Sequence, residues 1–500
     1  MRGVSPLSAI GWGTLTFALA TLISRITGLI RDVVLAHYFG TSGLLDAYFL
    51  AILIPFYLRR IFAEGAMASA FVPIYASTHN TSKSESNRFA SAVTNLVLLI
   101  TIFVSLALII FSKPVLRLFA TGFTSETLSL SSSVLRFTAF YVVLVSLSAV
   151  FSSIANFHGR FFLPALAPMF INLCVVATAF IAADSQNVKL LGIGFLIGGI
   201  LQLILSFLSA NKDFQYTFVI NHDRFHDFSR LFFTASIGYA VTHINSIVDT
   251  NVSTWLGPGS VSSLQYALRL FQLPIGLFGV AVSTAALPSF SRNLDQIDRS
   301  LKEALELLWF LVLPASIAMA LMAQPLIFLI FQHGTFDSSA TETVSRCLVM
   351  YSLGIPFYTT YLLLSRYYHA QQKGGVPSIV TLLMVLINVA LDVLLAPIMG
   401  IAGVALATSV SGGVGALVIW RAIKKRNKVT FIDHREFQKL LLINIPVLTL
   451  SIFALRFAST RVLVLAFVAV IVLSYLLAAR YAQLRSLKLL LSILSRKRQG

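Results

Sequence analysis

Seven arginines lie within segments that are otherwise long and apolar: Arg25, Arg31, Arg59, Arg60, Arg136, Arg269 and Arg346. A charged side chain at the centre of a bilayer costs roughly 2.5–3.5 kcal/mol on insertion scales, so it normally faces a cavity or a partner. The guanidinium group presents a rigid fork of donors that matches phosphate and carboxylate oxygens. Few acidic residues accompany the arginines of the first, second and eighth segments, which predicts a cavity that binds an anion.

The depths of these arginines can be estimated from a helical rise of about 1.5 Å per residue. On this basis Arg31 and Arg269 lie about 13 Å below the outer face, and Arg25 and Arg59 lie about 22 Å below it. Two tiers of arginine are therefore predicted. The alternative is that acids neutralise them, because Arg31 adjoins Asp32 in the sequence.

The neighbouring charges are interpreted by position. Arg60 and Glu64 are i,i+4 partners and are predicted to form an ion pair, with Glu64 near the inner mouth. Asp46 stands at the outer start of the second segment. It is interpreted either as an acid favoured by the helix dipole or as a partner for an arginine when the outer mouth closes.

A second group of polar residues carries oxygen donors at a shared depth. Asn388 and Asp392 are four residues apart on one predicted helix and so share a face. Asp249 and Thr408 lie at a similar distance from the outer ends of their segments. Hard oxygens at one level suit a small cation such as Na⁺, or a proton relay. The alternative is a set of hydrogen bonds that hold helices together.

The elements that position these residues are membrane-spanning helices. The chain has 500 residues, of which 57% are hydrophobic and 11% are charged, and its mean hydropathy is +0.85. Apolar stretches recur at the length of about 20 residues that a bilayer requires. We predict an all-α polytopic membrane protein with spans near 9–38, 43–74, 88–112, 128–157, 161–183, 189–210, 228–256, 260–290, 303–331, 341–370, 376–398, 402–421, 437–456 and 461–482.

The net charge of +18 is distributed unevenly along the chain. Loops on the side of the termini hold 25 of the 37 Lys and Arg residues, whereas the opposite loops hold five. Basic residues mark the cytoplasmic face, so both termini are predicted to be cytoplasmic. This pattern accounts for the charge without nucleic acid. No Walker, HExxH, CxxC or GxSxG motif occurs, and no soluble domain large enough for catalysis is evident.

Weak similarities recur at a constant offset. Asp32 and Gly40 are separated by seven residues, as are Asp249 and Gly257, and Asn172 corresponds to Asn388. Offsets of 213 to 217 residues predict two six-helix lobes that flank a central site, a common plan in transporters. We predict lobes over residues 1–212 and 213–430, two further helices over 431–484, and a basic tail over 485–500.

Three stretches carry a family resemblance: "SRITGLIRD" (24–32), "LDAYFLAILIP" (45–55) and "RRIFAEGAMASAFVPIYA" (59–76). They resemble the signature of the MurJ (MviN) family, bacterial flippases for lipid II within the multidrug/oligosaccharidyl-lipid/polysaccharide exporter superfamily. The resemblance implies functional roles for Ser24, Arg25, Arg31, Asp32, Asp46, Arg59, Arg60, Glu64 and Arg269. It also implies a sodium site formed by Asp249, Asn388, Asp392, Thr408 and the carbonyl of Val404. The acid that often precedes the arginine of the eighth segment is Leu268 in this sequence.

The expected function is translocation of lipid II across the bacterial inner membrane by alternating access. Arg25, Arg31, Arg59 and Arg269 would bind its pyrophosphate, and the last two helices would offer a groove for the lipid tail. No cofactor or covalent step is expected; Na⁺, a proton or the membrane potential would supply the drive, and the monomer would suffice. The alternatives are a flippase for another polyprenyl-pyrophosphate glycan, a cation-coupled drug antiporter, a membrane-bound enzyme for lipid-linked substrates, and a channel.

Overall fold

The computed structural model describes residues 6–62, 66–241, 244–292, 297–426 and 433–488. Within these ranges every regular element is a helix and no strand occurs, which confirms the predicted all-α class. In the first half of the chain the α-helices are α1 (Pro6–Phe39), α2 (Gly43–Phe62), α3 (Ala66–Thr81), α4 (Lys83–Ile110), α5 (Ser112–Phe119), α6 (Ser125–Thr138), α7 (Tyr141–Phe157), α8 (Phe162–Leu166), α9 (Met169–Ala182), α10 (Val188–Ala210), α11 (Phe225–Val241) and α12 (Ile244–Ser253).

The second half continues in the same way, with one π-helical segment between two α-helices. Its α-helices are α13 (Ser260–Pro274), α14 (Ala281–Arg292), α15 (Ile297–Leu321), α16 (Ala323–Ile330), α17 (Ser338–Ala370), α18 (Gly375–Met399), α19 (Ile401–Arg426), α20 (His434–Ile443), α21 (Ile445–Phe457) and α22 (Arg461–Tyr481). The π-helical segment, Ile275–Val280, follows Pro274 directly. Such segments often mark functional positions in a helix.

Eleven helical stretches among the described residues are long and apolar enough to cross a membrane, which confirms a multi-pass membrane protein. The other three predicted spans, 9–38, 43–74 and 228–256, coincide with α1, with α2 and α3, and with α11 and α12. Residues 63–65 and 242–243, inside two of these spans, lie outside the described ranges. The total of fourteen spans therefore stays a prediction.

The chain divides into two compact units, residues 1–262 and 263–500. The predicted lobe boundaries at 212/213, 430/431 and 484/485 stay predictions. Residues 489–500, most of the predicted basic tail, lie outside the described ranges.

In the first unit, α10 packs closely on its neighbours because glycine lines its surface. A Cβ atom on Gly198 would lie 2.4 Å from Ile171 Cα on α9, and one on Gly194 would lie 2.1 Å from Thr178 Oγ1. Small residues of this kind allow helix backbones to approach in a membrane, where the hydrophobic effect gives little drive for association. This packing fixes α9, the helix that carries Asn172.

In the second unit, the two helices predicted to lie beyond the lobes pack against α15. The hydroxyl of Tyr475 on α22 donates to the carbonyl oxygen of Phe310 at 2.5 Å, and Val447 of α21 is fully buried in the same apolar cluster. The outward faces of both helices remain apolar, with Leu473 and Phe453 more than half exposed. Such surfaces are suited to lipid.

Candidate functional site

Arg31 lies in a buried polar network between α1 and α9. Its side chain donates twice to Asp32 Oδ1, at 3.0 Å from Nε and 2.7 Å from Nη2, and its Nη1 donates to Asn172 Oδ1 at 3.2 Å. The Asn172 amide nitrogen donates to the carbonyl of Ser24 and to Thr27 Oγ1, both at 3.2 Å. Arg31 and Asp32 are only 4% and 2% exposed. We call these five residues the Arg31 network.

The other predicted anion-binding residues of the first unit differ in exposure. Arg25, six residues before Arg31 on α1, is exposed and makes no ion pair with a described residue. Arg59, near the end of α2, is half-buried, and its guanidinium carbon lies 5.8 Å from the ring centroid of Phe56. A cation over an aromatic face is attracted to the ring. These two arginines therefore remain more accessible to a ligand than Arg31 does.

Arg60 is half-buried on α2, but its predicted partner Glu64 lies outside the described residues. Asp249, on α12, is buried.

Asp46 is the N-terminal cap of a helix more than 200 residues away in the sequence. Its carboxylate accepts hydrogen bonds from the backbone N–H groups of Gly259 and Ser262, each at 2.7 Å, at the start of α13. The side chain is 1% exposed. Helix N-termini carry unsatisfied N–H groups and a partial positive charge, and a carboxylate satisfies both. The two sequence interpretations of Asp46 stay predictions; the structure adds its contact with the start of α13 to its position in the first turn of its own helix.

Gly259 makes this contact possible. It has a φ of +87°, and a Cβ atom at this position would lie 2.6 Å from the carbonyl oxygen of Thr41. Only glycine adopts this conformation at low cost. The loop before α13 therefore closes against the loop before α2, and Asp46 lies between them.

Arg269 is half-buried on α13 and belongs to the second compact unit. The predicted tier that it would share with Arg31 combines residues of both units. That arrangement stays a prediction.

The predicted cation ligands of the second unit lie on two packed helices, α18 and α19. Asn388 and Asp392 are fully buried, and the Asn388 amide nitrogen donates to Asp392 Oδ2 at 2.8 Å. On α19, the Thr408 hydroxyl donates to the buried carbonyl of Val404 at 3.4 Å. The predicted i,i+4 relationship on α18 is confirmed. Asp249 belongs to the first unit, so the complete ligand set stays a prediction.

The candidate ligands of the second unit, Asn388, Asp392, Thr408 and the Val404 carbonyl, comprise one carboxylate and neutral oxygens. Asp249 brings the predicted set to two carboxylates. Within the described ranges, no three His, Cys, Asp or Glu side chains are grouped to hold a metal ion. Hard oxygen ligands of this kind suit a small cation.

Three buried acids share a spacing to a following glycine that the predicted repeat included for only two of them. Asp32, Asp249 and Asp392 are all buried, and each precedes by eight residues a glycine that follows a helical segment, which for Asp249 is the 3₁₀ turn Thr254–Leu256 after α12. Gly40, Gly257 and Gly400 have φ values of +58°, +92° and +61°. The sequence shows the first two pairs as a repeat, and the same spacing at Asp392 and Gly400 could have been found by extending the search.

Comparison with known proteins finds relatives over most of the chain. The family model described as "Lipid II flippase MurJ" matches residues 35–483. A Thermotoga maritima protein named "Probable lipid II flippase MurJ" is 40% identical over 398 residues, which cover 80% of this chain and 82% of that protein. A Thermosipho africanus protein named "Lipid II flippase MurJ" is 36% identical over 416 residues, covering 83% and 86%.

Solved structures extend the agreement to the fold. A structure titled "Lipid II flippase MurJ, inward closed conformation" aligns with a TM-score of 0.84 at 35% identity and covers 94% of this chain and 99% of that chain. An inward-facing MATE transporter of the MOP superfamily aligns at 0.67 with 13% identity, covering 82% and 97%, and shows the shared fold alone. The helical fold is thus that of a multi-pass membrane protein. The chain belongs to the lipid II flippase MurJ family.

Proposed function

We propose that this protein is a flippase that moves lipid II from the cytoplasmic to the outer leaflet of the bacterial inner membrane. The observation that carries the proposal is the match to the lipid II flippase family over residues 35–483. The arginines inside the membrane-spanning segments support it, because the pyrophosphate of lipid II is an anion that must cross the apolar layer. A transporter of cationic drugs has no such need.

The proposed mechanism is alternating access without covalent chemistry, so the protein acts as a transporter and not as an enzyme. Arg25, Arg59 and Arg269 receive the pyrophosphate from the cytoplasmic side, and Arg31 contributes positive charge from its network. The lipid tail stays in the bilayer beside α21 and α22. A ligand drives such a switch only through different affinities for the two states.

The contact of Asp46 with the start of α13 holds the outer mouth closed in this proposal. Breaking two charge-assisted hydrogen bonds to backbone N–H groups opens it, and each such bond contributes on the order of 1.5–3 kcal/mol. The closing contact would reform after release of the head group. Both termini face the cytoplasm, and the monomer suffices.

Cation coupling is a further part of the proposal. Asp249, Asn388, Asp392, Thr408 and the Val404 carbonyl would hold Na⁺, which would supply a positive charge among buried oxygens. The membrane potential also acts on any net charge that moves, by about 2.3 kcal/mol per elementary charge per 100 mV.

The deciding experiment is reconstitution into liposomes with labelled lipid II and a membrane-impermeant probe that reports which leaflet holds the head group. Wild type should move lipid II, and Arg25→Ala and Arg269→Ala should each slow movement at least tenfold. Arg346→Ala is the matched control, because Arg346 is exposed and pairs with Glu342 on its own helix. Movement of another polyprenyl-pyrophosphate glycan but not of lipid II would refute the cargo assignment.

A further inference from the structure

The segment between α10 and α11 is held along a neighbouring helix in an unusual way. Residues 214–222, here called the connector, form no helix. Three side chains on one face of α4, spaced four residues apart, hydrogen-bond its backbone at alternate residues. These bonds are Gln215 N to Asn87 Oδ1 (3.2 Å), Thr217 N to Ser91 Oγ (3.0 Å) and Asn95 Nδ2 to the carbonyl of Val219 (3.0 Å).

The polar stripe on α4 ends at Asn95, which bonds Val219 of the connector. Continued at the same four-residue spacing, it passes from Asn95 to Leu99 and Phe103, which are 71% and 74% exposed. Large apolar side chains with this exposure on a spanning helix face lipid. The connector therefore covers the lower part of a stripe whose upper part is a lipid-facing surface.

The connector carries large side chains of its own, of which Tyr216 reaches back to α4, where its hydroxyl donates to Asn95 Oδ1 at 2.9 Å. Tyr216, Phe218 and Ile220 are 55%, 78% and 72% exposed. They alternate with Gln215, Thr217 and Val219, whose backbone groups bond α4. Bonding at alternate residues is typical of an extended chain, and Phe218 and Ile220 are its most exposed large side chains.

The depth of the connector agrees with a position at the membrane interface. Helix α4 has 28 residues and is thus about 42 Å long, about 12 Å longer than a hydrocarbon core of about 30 Å. Residues 87–95 lie roughly 6–18 Å from its Lys83 end, at the level where headgroups give way to acyl chains. Irregular backbone is unfavourable there unless its polar groups have partners, and Asn87, Ser91 and Asn95 supply them.

We propose that the connector is a membrane anchor that inserts Phe218 and Ile220 into the phospholipid leaflet at the Lys83 end of α4. Charge distribution assigns this leaflet to the cytoplasmic side. The exposed residues Lys212 and Arg224 flank the connector at the level of the lipid phosphates. Aromatic side chains favour this boundary. The inference requires that the protein spans a membrane and does not depend on the cargo.

Site-directed spin labelling tests the anchor. Nitroxides are attached at Phe218→Cys and, independently, at Ile220→Cys, in full-length protein lacking Cys174 and Cys347 and reconstituted in phospholipid vesicles. Leu99→Cys provides the lipid reference and Glu126→Cys the aqueous reference. Both connector labels should show at least a threefold higher ratio of oxygen to nickel-chelate accessibility than the label at residue 126, and should approach that at residue 99.

Each contrary result overturns the proposal. A ratio equal to that at residue 126 means that the connector faces water. Low accessibility to both reagents means that protein, such as a second copy of the chain, covers it.

Amide hydrogen exchange provides an independent test of the attachment to α4. Ser91→Ala removes the acceptor for the Thr217 N–H and should speed exchange across the connector at least tenfold. Ser105→Ala is the matched control, since Ser105 lies on the same helix but bonds the carbonyl of Ala139. Unchanged exchange in Ser91→Ala would show that α4 does not hold the connector.

Discussion

Arg25 and Arg31 lie on one helix, but their surroundings give them different energetic roles. Arg31 is buried with Asp32 and Asn172, so its charge is already compensated in this conformation. Arg25 is exposed. Removing one member of a buried ion pair leaves a charge without its counter-charge, whereas truncating an exposed side chain has little effect on folding.

We therefore expect that replacing Arg31 lowers the stability of the protein, whereas replacing Arg25 slows transport and leaves stability nearly unchanged. Arg31→Ala should lower the free energy of unfolding by about 3 kcal/mol, the lower end of the range for broken buried pairs. Arg25→Ala should change it by less than about 0.5 kcal/mol. Thermal unfolding in lipid nanodiscs, beside the flipping assay, checks both values. Equal destabilisation by the two variants would contradict the buried network.

A second prediction concerns the substitution Asp46→Asn. In Asp46→Asn, the amide oxygen can accept from Gly259 or Ser262, but the amide nitrogen faces the other N–H group. Loss of one charge-assisted bond of about 1.5–3 kcal/mol should shift the closed outer mouth towards opening and slow flipping roughly tenfold. Glu126→Gln, a change at an exposed acid in the first turn of α6, is the control and should flip normally.

The opening itself can be measured. A cysteine replacing Ser42, in the loop beside Asp46, should react faster with an impermeant maleimide added outside when Asp46 is Asn. If the labelling rate and the flipping rate both stay at wild-type values, Asp46 does not close the outer mouth.

At the scale of elements, glycine positions decide how closely helices pack. Gly198→Ala would place a methyl group 2.4 Å from Ile171 Cα, a backbone atom that cannot rotate away. Overpacking of this kind typically costs about 1–3 kcal/mol. Gly413→Ala on α19 meets nothing within 4 Å and should be neutral or stabilise by up to about 1 kcal/mol. Thermal unfolding of both variants tests the contrast, and a stable Gly198→Ala would contradict the tight α9–α10 contact.

The sequence predicted the spanning helices because their apolar length is a local property. Eleven candidate spanning helices occur within the described ranges, and the i,i+4 pair of Asn388 and Asp392 follows from helical geometry. The break between α6 and α7 at residues 139–140 was missed, since the hydropathy of residues 125–157 is continuous.

Contacts between distant segments were beyond the reach of the sequence. Asp46 bonds residues 213 and 216 positions away, and Arg31 bonds Asn172, 141 positions away. No local pattern marks such a partner. Pairing of Arg31 with Asp32 could be considered from the sequence because those two residues are adjacent.

For the whole molecule, the repeat relates the Arg31 network to the predicted cation site. An offset of 217 relates Asp32 to Asp249, and an offset of 216 relates Asn172 to Asn388. At the first of these offsets, Arg31 corresponds to Val248. In the first half of the repeat, the Arg31 guanidinium supplies a positive charge. The second half has the apolar residue Val248 at the corresponding position. Na⁺ at the proposed cation site would be the counterpart of that guanidinium.

This correspondence leads to a prediction about sodium. NaCl should raise the melting temperature by a few degrees above choline chloride at equal ionic strength, because a ligand that binds only the folded state stabilises it by about 2.7 kcal/mol at 100 times its dissociation constant. Asp392→Asn should abolish the difference, and Asp433→Asn, which changes a carboxylate at the start of α20, should retain it. An equal melting temperature in the two salts would argue against a sodium site and leave a proton or the membrane potential as the drive. A sodium shift that survives Asp392→Asn would place the ion elsewhere.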